Sequence, residues 1–197
     1  MNIELVKKEI EKSIAVKANI LKDPILLSQV IEVAAACIAS LKRGGKIIFC
    51  GNGGSFADAQ HLSAEFTSRF LFDRPALASI ALGTNSSGMS AMGNDYGYES
   101  VFSRELEAVG KVEDVFVAIT TSGNSPNILQ AVEVANKRGI KTFVLTGQTG
   151  GALKSKADCL HVPSGDTARV QESHILIGHI VCGFVEKTMF SEMAPTD

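Results

Sequence analysis

His61 and Glu65 stand four residues apart in residues 55–70, a segment whose apolar residues follow a helical period. On a helix, this spacing puts an imidazole and a carboxylate one turn apart on the same face. Such a pair can share a metal ion, or it can serve as acid and base. A solvated ion pair on a surface helix is the alternative. The location favours chemistry, because the segment starts at a glycine-rich loop of the kind that precedes ligand-binding helices.

That loop is GNGGS at 51–55, and it directly follows the apolar run KIIFC at 46–50. Glycines let backbone N–H groups come close to an anion, and the start of the next helix adds a favourable dipole. The loop matches neither GxGxxG nor GxxxxGK[ST], so neither a dinucleotide nor a nucleoside triphosphate is indicated. A tight turn capped by Ser55 is an alternative that the sequence leaves open.

A second loop, TTSGNSPN at 120–127, carries four hydroxyls around one glycine, on Thr120, Thr121, Ser122 and Ser125. Hydroxyls and free backbone donors at a helix start suit a phosphate monoester. An N-cap formed by Ser125 or Asn124 would need only one of these groups, so the set favours phosphate binding. Neither loop contains lysine or arginine, which predicts that neutral donors hold the anion.

The closing helix, predicted over 167–190, brings in Gln171, His174 and His179. It is apolar nearly all round between Ile175 and Val185, which predicts burial. An ionisable His179 there needs a partner or a function, and a core histidine bonded to a carbonyl is the alternative. Gln171 and His179 are about 80° apart in rotation but roughly 12 Å apart along the helix axis, so their spacing alone does not indicate that they bind one ion. His174 projects away from His179, which predicts a packing role.

The elements that must position these groups alternate between short apolar runs and helices. This pattern predicts a parallel sheet covered on both faces. We expect a three-layer α/β/α sandwich with five parallel strands, flavodoxin- or Rossmann-like, over 45–190. Two helices within 1–44 precede it. The predicted strands lie at 46–50, 76–82, 114–123, 141–147 and 159–162, and a polar loop is expected after 82.

Composition and charge argue against nucleic-acid binding and against a membrane protein. The chain has 197 residues, a formal net charge of −2 and a pI near 6.1, so no basic field for nucleic acid is present. No signal peptide is recognised, and the apolar run 175–185 is too short to cross a bilayer. Four well-separated cysteines indicate buried, reduced thiols in a cytoplasmic protein; they are Cys37, Cys50, Cys159 and Cys182.

Taken together, five segments resemble the phosphoheptose isomerases, which are sugar isomerase (SIS) domain proteins. They are CGNGGS, DAQHLSAEF, MGNDYGYE (92–99), TTSGNSPN and VQESHILIGHIVC (170–182). The likeness extends over essentially the whole chain and implies one SIS domain at 1–197. It also implies conversion of D-sedoheptulose 7-phosphate to D-glycero-D-manno-heptose 7-phosphate through an enediol, for bacterial lipopolysaccharide heptose.

The resemblance assigns roles to matching positions. It implies that zinc is bound by His61, Glu65, Gln171 and His179, with Glu65 and His179 also as the acid/base pair. It implies that the phosphate contacts Ser55, Thr120, Thr121, Ser122 and Ser125. The sugar is expected to meet Asn52, Gly53, Gly54, Asn94 and Asp95. Arg69 is a candidate contact to substrate or to a neighbouring chain, or an ordinary surface arginine, and Asp166 and Thr167 are further candidates.

The chain departs from the usual residues of the family at two positions. Thr120 stands where serine is frequent, and bulky Phe56 follows Ser55; both could reshape the pocket.

A non-catalytic SIS module, like the DnaA initiator-associating proteins, is the main rival function, and the presence of Glu65 and His179 argues against it. An isomerase for arabinose 5-phosphate is another. Apolar surface on the leading and closing helices predicts a homo-oligomer, by family likeness a tetramer.

Overall fold

The computed structural model describes residues 2–193 and contains seven α-helices and five strands in that part of the chain. The helices are α1 (Ile3–Leu21), α2 (Pro24–Lys42), α3 (Gly54–Thr67), α4 (Ser86–Tyr96), α5 (Val101–Val109), α6 (Pro126–Lys137) and α7 (Thr167–Met189). The strands are β1 (Ile47–Gly51), β2 (Ser79–Ala81), β3 (Val115–Ile119), β4 (Lys141–Thr146) and β5 (Asp158–His161).

The strands form one parallel sheet in the order β2-β1-β3-β4-β5, which is the flavodoxin-like order. Gly51, the last residue of β1, pairs with Ile119, the last residue of β3. In such sheets, ligands bind beyond the carboxyl ends of the strands where the chain direction across the sheet reverses. Here this point lies between β1 and β3, so the loops GNGGS and TTSGNSPN both leave from it.

Successive strand residues point to opposite faces of the sheet, and both faces are covered. Phe49 and Val117 pack in one cluster with side chains from α2, α3 and α7. Ile48 and Phe116 pack in the other with side chains from α5 and α6. Burial on both faces explains why these strands read as continuous apolar runs rather than alternating ones. The predicted three-layer α/β/α sandwich is confirmed.

The segment after β2 corrects the sequence prediction. The expected polar loop contains α4 and α5. α4 was overlooked because its sequence, SSGMSAMGNDY, is rich in serine and glycine and none of its residues is fully buried. Element ends also differ from expectation: α3 ends at Thr67 rather than residue 70, and β2 is shorter than 76–82.

The leading helices have different surroundings. α1 buries Ile20 but leaves a stripe of apolar side chains exposed, namely Ile3, Val6, Ile10, Ile14 and Leu21. α2 is apolar and long enough to match a membrane span by length and composition, with a mean hydropathy of 1.8, which the sequence prediction missed. Only 33% of this span is buried, and its buried side supplies the core with Leu26, Val30, Val33, Ala34 and Cys37. The predicted buried free cysteines are confirmed.

Candidate active site

His61, Glu65 and His179 meet in one cluster. The Nε2 atoms of His61 and His179 lie 2.9 Å apart, and His61 Nε2 lies 3.2 Å from Glu65 Oε1. His61 and Glu65 occupy adjacent turns of α3, as their spacing predicts. His179 comes from α7, and the ring of Phe70 stacks on it with centroids 5.3 Å apart. The arrangement puts two imidazoles and a carboxylate around one point.

A glycine allows α3 and α7 to approach each other beside this cluster. A Cβ atom built on Gly178 would lie 2.5 Å from both methyl carbons of Leu62. Leu62 is fully buried and directly follows His61, just as Gly178 directly precedes His179. The absence of a side chain at 178 therefore permits the close helix contact that brings the two histidines together.

Burial and neighbouring charge bias the protonation of the cluster. Partial burial lowers the pKa of His179, the nearby His61 lowers it further, and the Glu65 carboxylate opposes both. This favours neutral imidazole, the form that binds metals and accepts protons. Asp58, one turn before His61, is half-buried, and burial raises the pKa of its carboxyl while His61 opposes this effect.

The first loop is shaped by its glycines. Gly53 has φ +56° and ψ −120°, a backbone conformation that favours glycine. A Cβ on Gly54 would lie 2.6 Å from the Nε2 atom of Gln171, so the Gln171 amide of α7 packs directly on this loop. Ser55 lies buried in the first turn of α3, whose N-cap is Gly53 and lacks a side-chain capping bond within the described residues. The alternative of a turn capped by Ser55 is wrong.

The two loops are joined to each other by side-chain amides. Asn52 and Asn127 exchange two hydrogen bonds of 2.9 Å, each donating its Nδ2 to the other's Oδ1. The hydroxyl of Tyr98 donates to Asn52 Oδ1 at 3.2 Å. Asn127 and Tyr98 were not among the predicted site residues. They lie inside the motifs TTSGNSPN and MGNDYGYE, and only the folded chain reveals their contact with Asn52.

The hydroxyls of the second loop differ in their surroundings. Thr120 is buried, and its Oγ1 accepts from Gly123 N–H at 3.3 Å, which shapes the loop. Thr121 and Ser122 line a cavity of about 290 Å³, the polar cavity, whose other walls are mainly polar residues from 147–149 together with Ser164, Gly165 and Thr167. Ser125 holds the N-cap position of α6, yet among the described residues its hydroxyl caps no backbone N–H. That hydroxyl therefore stays available to a ligand.

Other predicted residues lie elsewhere. Arg69 lies within the segment 55–70 that was predicted to be helical, but α3 ends at Thr67 and Arg69 is exposed in the following loop. Asn94 donates to Asp95 at 2.8 Å on the exposed side of α4, where both line a different groove. Contacts among the described residues do not connect them to the histidine cluster.

The candidates of the last loop have separate roles. Asp166 is the N-cap of α7 and accepts from Ala168 N–H at 2.9 Å, a structural use of its carboxylate. Thr167 lines the polar cavity together with Thr121 and Ser122. Only Thr167 of this pair therefore lines this cavity.

The donor set of the cluster fits a divalent metal. One ligand atom each from His61, Glu65 and His179 lies within 4.8 Å of the others. Two imidazole nitrogens with one carboxylate oxygen form a set that catalytic zinc sites use, and such sites can add a further ligand during the reaction. Gln171 of α7 packs against the neighbouring loop, and its role as a further ligand stays a prediction.

Comparison with known proteins identifies the family. Residues 12–147 match the model of the SIS domain family. The chain belongs to the SIS domain family. This SIS domain protein is 51% identical over 188 residues to the phosphoheptose isomerase of Aneurinibacillus thermoaerophilus, and the match covers 95% of each chain.

Solved structures of SIS domain proteins agree with the fold. The phosphoheptose isomerase GmhA from Neisseria gonorrhoeae is 41% identical, with a TM-score of 0.85 over 92% of this chain and 98% of that one. A phosphoheptose isomerase from Francisella tularensis is 36% identical, with a TM-score of 0.89 over 95% of this chain and 100% of the other. The family resemblance predicted from the motifs is confirmed.

Proposed function

We propose that this SIS domain protein is a phosphoheptose isomerase. It converts D-sedoheptulose 7-phosphate to D-glycero-D-manno-heptose 7-phosphate, a step toward the heptose of bacterial lipopolysaccharide. The observation that carries the proposal is the meeting of His61 and Glu65, on the helix that follows the GNGGS loop, with His179 of α7, in a chain 51% identical to a phosphoheptose isomerase. A purely regulatory SIS module would have no need of this cluster.

Zinc is the metal we propose for the cluster, held by His61, Glu65 and His179 with Gln171 as a fourth ligand. The two imidazoles and the carboxylate support this choice, since zinc takes nitrogen and oxygen ligands in tetrahedral sites. When bound, such an ion polarises a carbonyl and stabilises developing negative charge on oxygen.

The protein's own groups move the protons. Ketose-to-aldose conversion removes a proton from C1, forms an enediol and adds a proton to C2. We assign Glu65 as the base at carbon, because its carboxylate is only partly exposed and belongs to the cluster. His179, whose pKa is lowered by partial burial, passes a proton between the two oxygens.

The phosphate is proposed to lie on neutral donors of the two loops. Thr121 and Ser122 line the polar cavity, and Ser125 offers an uncapped hydroxyl at the start of α6. Ser55 and Thr120 complete the predicted set. Asn52, Gly53 and Gly54 contact the sugar, and the amide pair of Asn52 with Asn127 keeps the two loops at a constant distance.

We further propose that residues 1–197 act as one SIS domain in a cytoplasmic homotetramer. The exposed apolar stripe of α1 supports assembly, because symmetric association is the usual way to bury such a surface. Asn94, Asp95 and Arg69 are exposed in the single chain and would complete the site across a subunit boundary.

The deciding experiment is incubation of purified protein with sedoheptulose 7-phosphate, with zinc or with a chelator, followed by separation of ketose and aldose phosphates. We expect aldose in the presence of zinc and a strong decrease with chelator. Absence of the aldose under zinc-replete conditions would overturn the proposal and favour the regulatory alternative.

A further inference from the structure

A buried ion pair joins the segment after α3 to α7. Arg74, in the loop after α3, donates from Nε to Glu186 Oε1 of α7 at 3.0 Å, and each side chain is only 1% exposed. Glu186 also accepts from the backbone N–H groups of Phe70 and Leu71 at 2.8 and 2.7 Å. A buried charge is stable only when paired and hydrogen-bonded, and both conditions are met here.

Arg74 binds the end of α3 that carries Glu65. Its guanidinium donates to the carbonyl oxygens of Glu65 and Phe66, each at 2.7 Å, and to that of Ser68 at 3.0 Å. It also donates to its neighbour Pro75 at 3.0 Å. The last carbonyls of a helix have no partners within the helix, and the rigid fork of an arginine can satisfy several at once. The backbone of Glu65 is therefore held directly by this side chain.

Glu186 reaches the other half of the cluster through Phe70. The carboxylate holds the Phe70 N–H, and the Phe70 ring stacks on the His179 ring at an interplanar angle of 21°. Glu186 and His179 also share α7, seven positions apart, so one carboxylate is connected to the imidazole by the helix and by the stacked ring. The ion pair therefore contacts the backbone of Glu65 directly and the ring of His179 through Phe70. Glu65 and His179 are the two groups assigned to proton transfer.

We infer that Arg74 and Glu186 are positioning residues that hold Glu65 and His179 at the separation needed to share one metal ion. The inference rests on the function proposed above. The pair contacts neither substrate nor metal; it acts through the Glu65 carbonyl and through Phe70. Groups that orient metal ligands in this way commonly change metal affinity by about 10- to 100-fold when they are altered.

Glu186→Gln is the test variant, and Asp114→Asn is its matched control. Asp114 is another buried carboxylate that accepts from two backbone N–H groups, those of Lys46 and Lys111, and from the Lys46 ammonium. It lies just before β3, at the sheet edge opposite the candidate site. Both changes remove one buried negative charge, so the two variants should share a general loss of stability.

The measurement is Co²⁺ affinity by titration of its visible absorption, together with kcat and KM for sedoheptulose 7-phosphate. We expect Glu186→Gln to bind Co²⁺ at least about tenfold more weakly and to lose kcat with little change in KM. Asp114→Asn should match the wild type in both at a temperature where it is folded. Equal Co²⁺ affinity in Glu186→Gln and Asp114→Asn would overturn the inference.

If the Glu186→Gln protein does not fold, a second variant tests the same inference. Phe70→Leu keeps the ion pair and the N–H bond and removes only the ring on His179, so weaker Co²⁺ binding is expected. Wild-type affinity in Phe70→Leu would then count against the inference. Failure of the wild type itself to bind Co²⁺ and form aldose would instead refute the proposed function, so the two failures are distinguishable.

Discussion

His61 and His179 are separated by 118 positions in the chain, and their Nε2 atoms lie 2.9 Å apart. With Glu65 Oε1 3.2 Å from His61 Nε2, this contact joins the third and the last helix at the proposed metal site. Each part of that relationship can be tested separately.

Replacing Gly178 with alanine should weaken the His61–His179 contact by pushing apart the two helices that carry these residues. The new methyl would meet Leu62 at 2.5 Å, so α3 and α7 must separate. Overpacking of this kind costs about 1–3 kcal/mol, which denaturant unfolding can measure. Gly183→Ala on the same helix is the control, because its nearest side-chain contacts are an ordinary 3.5 Å. It should gain up to about 1 kcal/mol from helix propensity. Equal stability of the two variants would contradict the packing argument.

Glu65→Gln should abolish most turnover while phosphosugar binding remains. The amide keeps the size of the carboxylate but cannot take a proton from carbon, and loss of such a base costs about 10²- to 10⁴-fold in rate. Steady-state turnover and equilibrium binding of the sugar phosphate separate the two effects. Glu133→Gln, an exposed carboxylate paired with Lys156, should behave like the wild type. Unchanged turnover in Glu65→Gln would refute the assigned role.

Metal removal should lower both activity and thermal stability. A ligand that binds only the folded state stabilises it by about 2.7 kcal/mol at a concentration of 100 Kd, so zinc should raise Tm. His61→Ala should lose this zinc-dependent rise. His161→Ala should keep it, because His161 contacts Thr146 at the end of β4 and is not in the cluster. A zinc effect on Tm that survives in His61→Ala would place the metal elsewhere.

His174 should make the fold sensitive to acid. It is fully buried, neither ring nitrogen makes a hydrogen bond within the described residues, and burial lowers its pKa to about 4. The folded pKa is below the unfolded value of about 6.5, so the unfolded chain binds the proton first as pH falls. The contribution of neutral His174 to the free energy of unfolding is therefore fully present above pH 6.5. It is lost as the pH falls from 6.5 to 4, by about 3 kcal/mol in total.

His174→Leu removes this titration. Its free energy of unfolding, measured by denaturant at several pH values, should fall less steeply than that of the wild type between pH 6.5 and 4. Parallel curves for the two proteins would show that His174 does not cause the acid sensitivity.

The exposed stripe of α1 should mediate assembly. Ile10 is 55% exposed in the single chain, and Ile10→Glu would place a charge in any interface formed by that face. We expect the variant to elute as a smaller species in size-exclusion chromatography with light scattering. Lys8→Glu changes an exposed charged residue of the same helix and serves as the control. An unchanged mass for Ile10→Glu would exclude the α1 stripe from the interface.

The sequence by itself determined the class of fold and half of the site. Buried parallel strands read as uninterrupted apolar runs such as KIIFC, and loops after them must lie at one sheet edge, so both proposed phosphate loops were predicted. His61 and Glu65 were predicted as a pair because the helical repeat alone brings positions four apart together. α4 was not, because serine and glycine carry little helical signal and none of its residues is fully buried.

Only the tertiary structure decided the rest. The His61–His179 contact, the Asn52–Asn127 amide pair and the Arg74–Glu186 ion pair each join distant parts of the chain. Local periodicity specifies which face a side chain occupies on its own element. Which residue it meets across the interface depends on how closely two elements pack, and near the site that distance is set by features such as the missing side chain at Gly178.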